Sequence, residues 1–463
     1  MEAGNEEERM EINLNRQQER KVNAMKKRKW YSLYDKIFDT VNLRMAWYDV
    51  EANKGSHGID GVTIQQFEEN MDYHVRVIQE ELKTKEYRPQ PVRRVFIPKA
   101  DGSQRPLGIP TIRDRVVQQA LRRVLEPIFE EKFLDCSYGF RPNRGCHMAI
   151  DKITEHLENG YHWVIDADLK SYFDTIPHDK LIDQVWEEVS DTSVLKLIRL
   201  FLESGIMHQG IYEETVEGVP QGGVCSPLLA NIYLHPFDEE MTRRGHKIVR
   251  YADDFVILCK SKAAAIRVCE SMRKFLEGQL GLKVHPTKTR VVHLDESFDF
   301  LGYTFYSWKD EEGNRKYFRR PKDKALQKFK DTIRKWTRRN QTLSMDYLIS
   351  RVNQVLRGWG NYFGYGSVKS RFRELDKWIR RRLRAVQLRS WRHVKHLHRL
   401  LRKQGYKEEL RGLRMTKWRS SNSPLVDRTL NNQWFKEQGL VTLTEVYQKL
   451  MLRKEYVVSK PCA

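Results

Sequence analysis

Cysteine pairs are what this chain most plainly does without. Its six cysteines, Cys136, Cys146, Cys225, Cys259, Cys269 and Cys462, form no Cys-x-x-Cys motif. No disulfide pattern is suggested, and a reducing compartment fits. No apolar run approaches the roughly 18 residues that a membrane span needs, so no membrane partner is expected. The N-terminus, Met1-Glu-Ala-Gly-Asn-Glu-Glu-Glu, lacks the basic start and apolar run of a signal peptide, and it is not the Arg-rich, acid-poor sequence of a transit peptide. Tandem repeats and long low-complexity tracts are missing too. These absences read as a soluble, intracellular chain.

Positive charge is abundant but unevenly spread. The formal net charge is +21 over 463 residues, which points to a polyanionic partner. Between Pro321 and Ser420 stand 29 Lys plus Arg against 7 Asp plus Glu, leaving 54 and 55 in the remainder. The surplus therefore belongs to one region. Trp336, Trp359, Tyr362, Phe363, Tyr365, Trp378, Trp391 and Trp418 interleave with those charges. In Arg371-Phe-Arg-Glu-Leu-Asp-Lys-Trp-Ile-Arg-Arg-Arg-Leu-Arg384, Phe372, Leu375, Ile379 and Leu383 recur at helical spacing. Helices with aromatic seams, Trp378 and Trp391 among their core residues, and cationic outer faces suit a groove that neutralises a nucleic-acid backbone. Arg371, Arg380, Arg381 and Arg384 are the candidate contacts. His393, His396 and His398, with no cysteines nearby, read as part of a basic helix and not as metal ligands.

Chemistry concentrates in two apolar segments that carry acids. Lys247-Ile-Val-Arg-Tyr-Ala-Asp-Asp-Phe-Val-Ile-Leu258 predicts a β-hairpin with two carboxylates at its tip. Taken alone, an Asp-Asp pair is common on a solvated turn. Trp163-Val-Ile-Asp-Ala-Asp-Leu-Lys-Ser-Tyr-Phe-Asp-Thr-Ile176 brings more acids on a strand expected to be interior, where an unpaired carboxylate is costly. Asp168, Asp253 and Asp254 gathered around hard divalent cations would offset that cost. Three acids on two strands suit a two-metal phosphoryl-transfer site that adds nucleotides.

Other segments predict local structure. Arg93-Arg-Val-Phe-Ile-Pro-Lys-Ala-Asp-Gly-Ser-Gln-Arg-Pro106 predicts a hairpin turning at Ala-Asp-Gly-Ser, with Lys99 and Arg105 on its flanks. Arg113, Asp114 and Arg115 open a helix, in a packing and capping role. Ser226-Pro-Leu-Leu-Ala-Asn-Ile-Tyr-Leu234 reads as a capped helix with Pro at its first turn. Ala263 to Leu280 has helical periodicity, and Asp310-Glu-Glu-Gly-Asn314 forms a polar turn.

Seven motifs in order carry a resemblance. They are Gly55-Ser-His-Gly-Ile-Asp-Gly61, Ile97-Pro-Lys-Ala-Asp-Gly-Ser-Gln-Arg-Pro-Leu-Gly-Ile-Pro110, Tyr138-Gly-Phe-Arg-Pro142, Asp168-Leu-Lys-Ser-Tyr-Phe173, Gly218-Val-Pro-Gln-Gly-Gly-Val-Cys-Ser-Pro-Leu228, Tyr251-Ala-Asp-Asp254 and Phe300-Leu-Gly-Tyr-Thr-Phe305. On these the chain resembles the reverse transcriptases encoded by group II introns, or intron maturases, over nearly its whole length. The resemblance implies an α+β right-hand polymerase with an antiparallel palm sheet. Residues 1–28 would be a polar tail, 29–90 an N-terminal extension whose loop with Gly55 and His57 covers the template, and 91–320 the fingers and palm. Residues 321–395 would be the helical thumb, or domain X, and 396–463 a small DNA-binding domain D.

The same resemblance assigns roles. Asp168, Asp253 and Asp254 would hold two Mg²⁺ ions, with Mn²⁺ as a substitute. Lys99 and Arg105 would clamp the triphosphate of a dNTP, where a forked guanidinium and a point charge suit a polyanion. Phe173 would exclude a 2′-hydroxyl by overlap. Gln221 would lie beneath the incoming nucleotide, and Lys288 near the leaving pyrophosphate as a general acid. Phe300 to Phe305 would support the primer terminus. Implied partners are group II intron RNA, an RNA template with a DNA primer, and target DNA, in a bacterial cytoplasm or nucleoid; a homodimer stays open. The chain reaches Ala463 without the histidine and paired-cysteine signatures of the family's endonuclease, so no DNA nicking of its own is expected. Two other readings remain: a host-adopted reverse transcriptase without an intron, and a non-catalytic RNA-binding splicing factor.

Overall fold

A computed structural model describes residues 29–458 apart from 99–101, 103, 339, 341, 392 and 407–422, and the side chains of residues 453–458 are likewise left out. The expected tail at 1–28, Trp418 and part of the expected domain D, residues 407–422 and 459–463, lie outside the described residues.

Among the described residues, helices dominate the chain up to Pro91. Asp39 caps α1 (Thr40–Ala52) by accepting from the amides of Val41 and Asn42. After α2 (Met71–Lys83) the chain enters β1 (Val92–Pro98) and β2 (Gln104–Ile109), an antiparallel pair in which Ile97 faces Arg105. Thr111 then caps α3 (Ile112–Glu130). Next come α4 (Cys146–Glu158), β3 (Trp163–Ala167), α5 (His178–Trp186) and α6 (Thr192–Leu202). The hairpin of β4 (Ile206–His208) and β5 (Ile211–Glu213) precedes α7 (Ser226–Arg243). The acidic turn separates β6 (Lys247–Tyr251) from β7 (Asp254–Cys259), as the sequence predicted. The second half holds α8 (Lys262–Lys274), β8 (Arg290–His293), β9 (Phe298–Phe300), β10 (Tyr303–Lys309) and β11 (Arg315–Pro321). Among the described residues seven helices follow: α9 (Asp323–Trp336), α10 (Met345–Phe363), α11 (Lys369–Ser390), α12 (Lys395–Lys403), α13 (Pro424–Thr429), α14 (Asn432–Glu437) and α15 (Leu443–Val458).

The chain divides into two compact units. The first comprises residues up to Gly145, Ala167–Phe255 and Arg267–Thr289. Its sheet has the order β2-β1-β4-β5, with β4 parallel to β1 through Val92 and Ile206. The core joins Trp47 and Phe67, whose rings stack, to Val116, Val117 and Leu121 of α3. Asp114 is buried beneath the Tyr87 hydroxyl (2.6 Å) and the Thr111 hydroxyl (2.7 Å), the packing and capping role expected of that helix start.

The second unit comprises Cys146–Asp166, Val256–Ile266 and Arg290 onward. Here β3 runs antiparallel to β8, with Trp163 opposite His293. A separate sheet of order β11-β10-β9 bends back at Leu301 and Gly302, both with positive φ, the left-handed pair that a tight hairpin requires. Asp310 to Asn314 makes the expected polar turn between β10 and β11. Phe372, Leu375, Ile379 and Leu383 are all buried on one face of α11, as their spacing predicted. Each such side chain contributes about 1.5–3 kcal/mol of burial free energy. α15 packs on both α10 and α11, and Gly360 lets Leu443 and Val446 approach closely. Asp376 of α11 accepts from the amides of Leu443 (2.8 Å) and Thr444 (3.0 Å) at the start of α15. Helix α15 is thus built into the helices expected for the thumb.

Candidate active site

Asp168 leaves the end of β3 with its backbone pinned. Its carbonyl accepts from the His285 amide (2.8 Å), and the Lys170 amide donates to the Lys283 carbonyl (2.8 Å). This holds the acid beside the returning segment that follows Gly281. Its carboxylate faces Lys288 Nζ at 2.7 Å, so two residues 120 positions apart meet.

Asp253 stands in the turn between β6 and β7, after Ala252 at φ +57°. Burial holds its carboxyl above the usual range; the Asp168 charge adds to that rise, while Arg105 and Arg250 oppose it. The two acids therefore sense each other. Asp254 opens β7 with an exposed side chain. Among the described residues no group of three His, Cys, Asp or Glu is arranged as a metal cage. The donor chemistry nevertheless fits a hard divalent ion: oxygen donors only, and like charges that a cation would relieve.

Arg105 and Gln221 come together, Arg105 Nε donating to Gln221 Oε1 at 2.8 Å. Gly108 N donates to the Gln221 carbonyl at 2.7 Å, and Gly222 at φ +114° sits where a Cβ would press on the Gly108 carbonyl. Glycine is needed there for both reasons. Lys99 lies outside the described residues. Phe173 belongs to a 3₁₀ turn, Tyr172–Asp174, and is buried. Its carbonyl accepts from Val219 N at 2.6 Å, and the residue lines a cleft of about 290 Å³ with Gly108, Pro220 and Gln221.

The Gly55 to Gly61 loop is held by arginines. Arg93 donates to the His57 carbonyl (2.7 Å) and to Ser56 Oγ (3.0 Å), and Arg115 donates to the Ser56 carbonyl. A side chain at Gly55 would displace the Arg115 guanidinium.

Several expectations need correction. Ser226 does not cap α7: its N-cap is Cys225, with no side-chain cap, and Ser226 Oγ instead donates to the Pro220 carbonyl (2.8 Å). Arg384 was expected on the outer face of α11. It is buried, donates to the Leu430 carbonyl (2.8 Å) and pairs with Asp427 at 2.5 Å, because its position falls on the inner stripe. Arg381 is exposed, whereas Arg371 and Arg380 are half-buried. Trp378 is not core either: half-buried, it lies between Arg334 and Arg382 at 5.9 and 5.4 Å from its ring. Trp391 is half-buried and stacks on His396.

Sequence reasoning missed Arg250, Asp238 and Asn231, a wholly buried polar group behind the acidic turn. An arginine inside an otherwise apolar strand was the available signal.

Residues 97–305 match the family model described as Reverse transcriptase (RNA-dependent DNA polymerase), and residues 326–405 match Group II intron, maturase-specific domain. Protein YkfC of Escherichia coli is 37% identical over 54% of this chain and 77% of that protein. The group II intron-encoded protein LtrA of Lactococcus lactis is 32% identical over 56% of this chain, which spans only 54% of that relative's length. Among solved structures, the partial Cas6-RT-Cas1--Cas2 complex contains a chain 25% identical, covering 55% of this chain and 43% of its own length, with a TM-score of 0.35.

Proposed function

From the premise that this chain belongs to the group II intron reverse transcriptases and carries their maturase-specific domain, we propose that it copies RNA into DNA by two-metal nucleotidyl transfer. The observation that carries the reading is the 2.7 Å contact of Lys288 Nζ with the Asp168 carboxylate; the upward shift of the Asp253 carboxyl, to which Asp168 adds and which Arg105 opposes, agrees with it. Acids for metal and a cation for triphosphate thus share one neighbourhood.

Asp168, Asp253 and Asp254 hold the divalent ions, Mg²⁺ by preference and Mn²⁺ as a substitute. When bound, such ions activate the primer hydroxyl and neutralise developing charge on the phosphates. Arg105, steadied by Gln221, grips the triphosphate of the dNTP through its forked donors, with Lys99 as the second cation. The Phe173 ring closes the sugar side of the cleft, so a 2′-hydroxyl meets carbon and not water. Lys288 protonates the leaving pyrophosphate.

The helices α9 to α12 bind structured intron RNA, the partner suited to their cationic faces, and through it assist splicing. Target DNA follows for mobility of the intron, with domain D as its contact, while the loop of Gly55 and His57 covers the template. No helix among the described residues is long and apolar enough to cross a membrane.

The test is dNTP incorporation on a primed RNA template with Mg²⁺, wild type against Asp253→Ala. Extension by the wild type alone, with RNA affinity equal in both, supports the reading. A folded, RNA-binding wild type that extends nothing favours the non-catalytic splicing factor instead.

A further inference from the structure

Arg250 is among the largest wholly buried side chains. A guanidinium taken out of water costs several kcal/mol unless every donor finds a partner. Burial alone would pull its proton affinity down, and Asp238 outweighs that, leaving it above the ordinary arginine value. The pairing is forked: Nε donates to Asp238 Oδ1 at 2.8 Å, and Nη2 pairs with Asp238 Oδ2. Nη1 reaches Asn231 Oδ1 at 3.0 Å and the Ala252 carbonyl at 2.9 Å.

The last of these bonds matters for chemistry. The Ala252 carbonyl belongs to the peptide plane that also holds the Asp253 nitrogen and Cα, so fixing the carbonyl fixes the point from which the Asp253 side chain departs. Ala252 is left-handed at φ +57°, a conformation that costs a non-glycine residue about 1–2 kcal/mol. Something must hold it. Asn231 contributes twice, accepting from Arg250 and donating from Nδ2 to the Gly139 carbonyl at 2.8 Å. Gly139 lies so close to the Ala252 backbone that a Cβ there would collide with it. Asn231 and Asp238 both stand on α7, so one helix face carries the whole support.

We propose that Arg250, anchored by Asp238 and Asn231, is a positioning residue that sets Asp253 for metal through the Ala252 carbonyl. The inference rests on the polymerase reading above, but its primary readout is metal affinity and not turnover.

The test uses the full chain with Arg250→Lys. Lysine keeps a positive charge opposite Asp238, yet a point charge cannot serve Asp238, Asn231 and Ala252 together. Calorimetric titration with Mn²⁺, thermal melting, RNA affinity and steady-state kinetics are compared with wild type. The expected result is a fall of about 10- to 100-fold in Mn²⁺ affinity, with RNA affinity and the KM for dNTP unchanged. Part of that loss returns in the Arg250→Lys, Ala252→Gly double variant, because glycine adopts the left-handed turn without strain. Unchanged Mn²⁺ affinity in folded Arg250→Lys overturns the proposal. Should that variant not fold, Asn231→Ala keeps the Arg250 to Asp238 pair while removing both of its own supports. It should lose Mn²⁺ affinity in the same direction, and a folded Asn231→Ala with wild-type affinity overturns the proposal equally. A wild type that binds Mn²⁺ but polymerises nothing would defeat the polymerase reading alone.

Discussion

Phe173 and Asp114 show two ways in which a single buried side chain can be read. Phe173 lines the cleft beside Gln221, where its ring is proposed to limit what the sugar can carry. Phe173→Ala is expected to lower discrimination against ribonucleotides by about tenfold or more, checked by comparing kcat/KM for matched dNTP and rNTP. Unchanged discrimination would remove the ring from that role. Asp114 illustrates a structural group. Burial raises its pKa above the ordinary carboxylate value, and hydrogen bonds from Tyr87, Thr111 and Gln90 offset only part of that. A raised folded pKa means that the native state holds this proton more tightly than the unfolded chain. Its contribution is complete below the unfolded pKa and is lost as pH rises through the folded one. The stability of wild type relative to Asp114→Asn should therefore be greatest in acid and shrink as pH rises through that window. Thermal melts of both proteins at a series of pH values check the sign.

Helix α11 separates two kinds of arginine within a few turns. Arg373, Lys377 and Arg381 are exposed at spacings of four, on the face opposite the buried stripe. Replacing all three by Gln should weaken RNA binding and reduce the slope of log affinity against log salt by roughly one for each phosphate left without its cation. An unaltered slope would mean that this face touches no backbone. Arg384→Ala should behave differently. Its hydrogen bond to the Leu430 carbonyl and its pair with Asp427 disappear, at a cost of about 1–3 kcal/mol in stability, with the salt slope unchanged. Denaturant melts and salt titrations on the same two variants distinguish the roles.

At the scale of the whole molecule, charge and catalysis lie in different parts of the chain. The cationic surplus falls between Pro321 and Ser420, whereas Asp168, Asp253, Asp254, Arg105 and Gln221 all belong to the first compact unit. Binding and chemistry should then respond to different treatments. Chelation with EDTA is expected to abolish primer extension while leaving RNA affinity intact, and added Mg²⁺ or Mn²⁺ should restore it. Extension that persists in EDTA would end the metal assignment.

Local order was legible in the sequence because it depends on neighbours in the chain. β-Branched runs marked β3, β6 and β7, and the period of Phe372, Leu375, Ile379 and Leu383 marked the inner face of α11. The family-level architecture and the acidic motif followed from residues in order. Partnership across the chain was not legible. The pairing of β4 with β1, the meeting of Lys288 with Asp168, the inward turn of Arg384 and the Arg250 group all join positions whose spacing carries no periodic signal. A buried polar side chain is decided by whichever partner the folded backbone brings within hydrogen-bond reach, and desolvation makes that choice nearly absolute. Sequence alone determined the family and the acids on which its chemistry is proposed to rest, and tertiary structure decided which residues hold those acids in place.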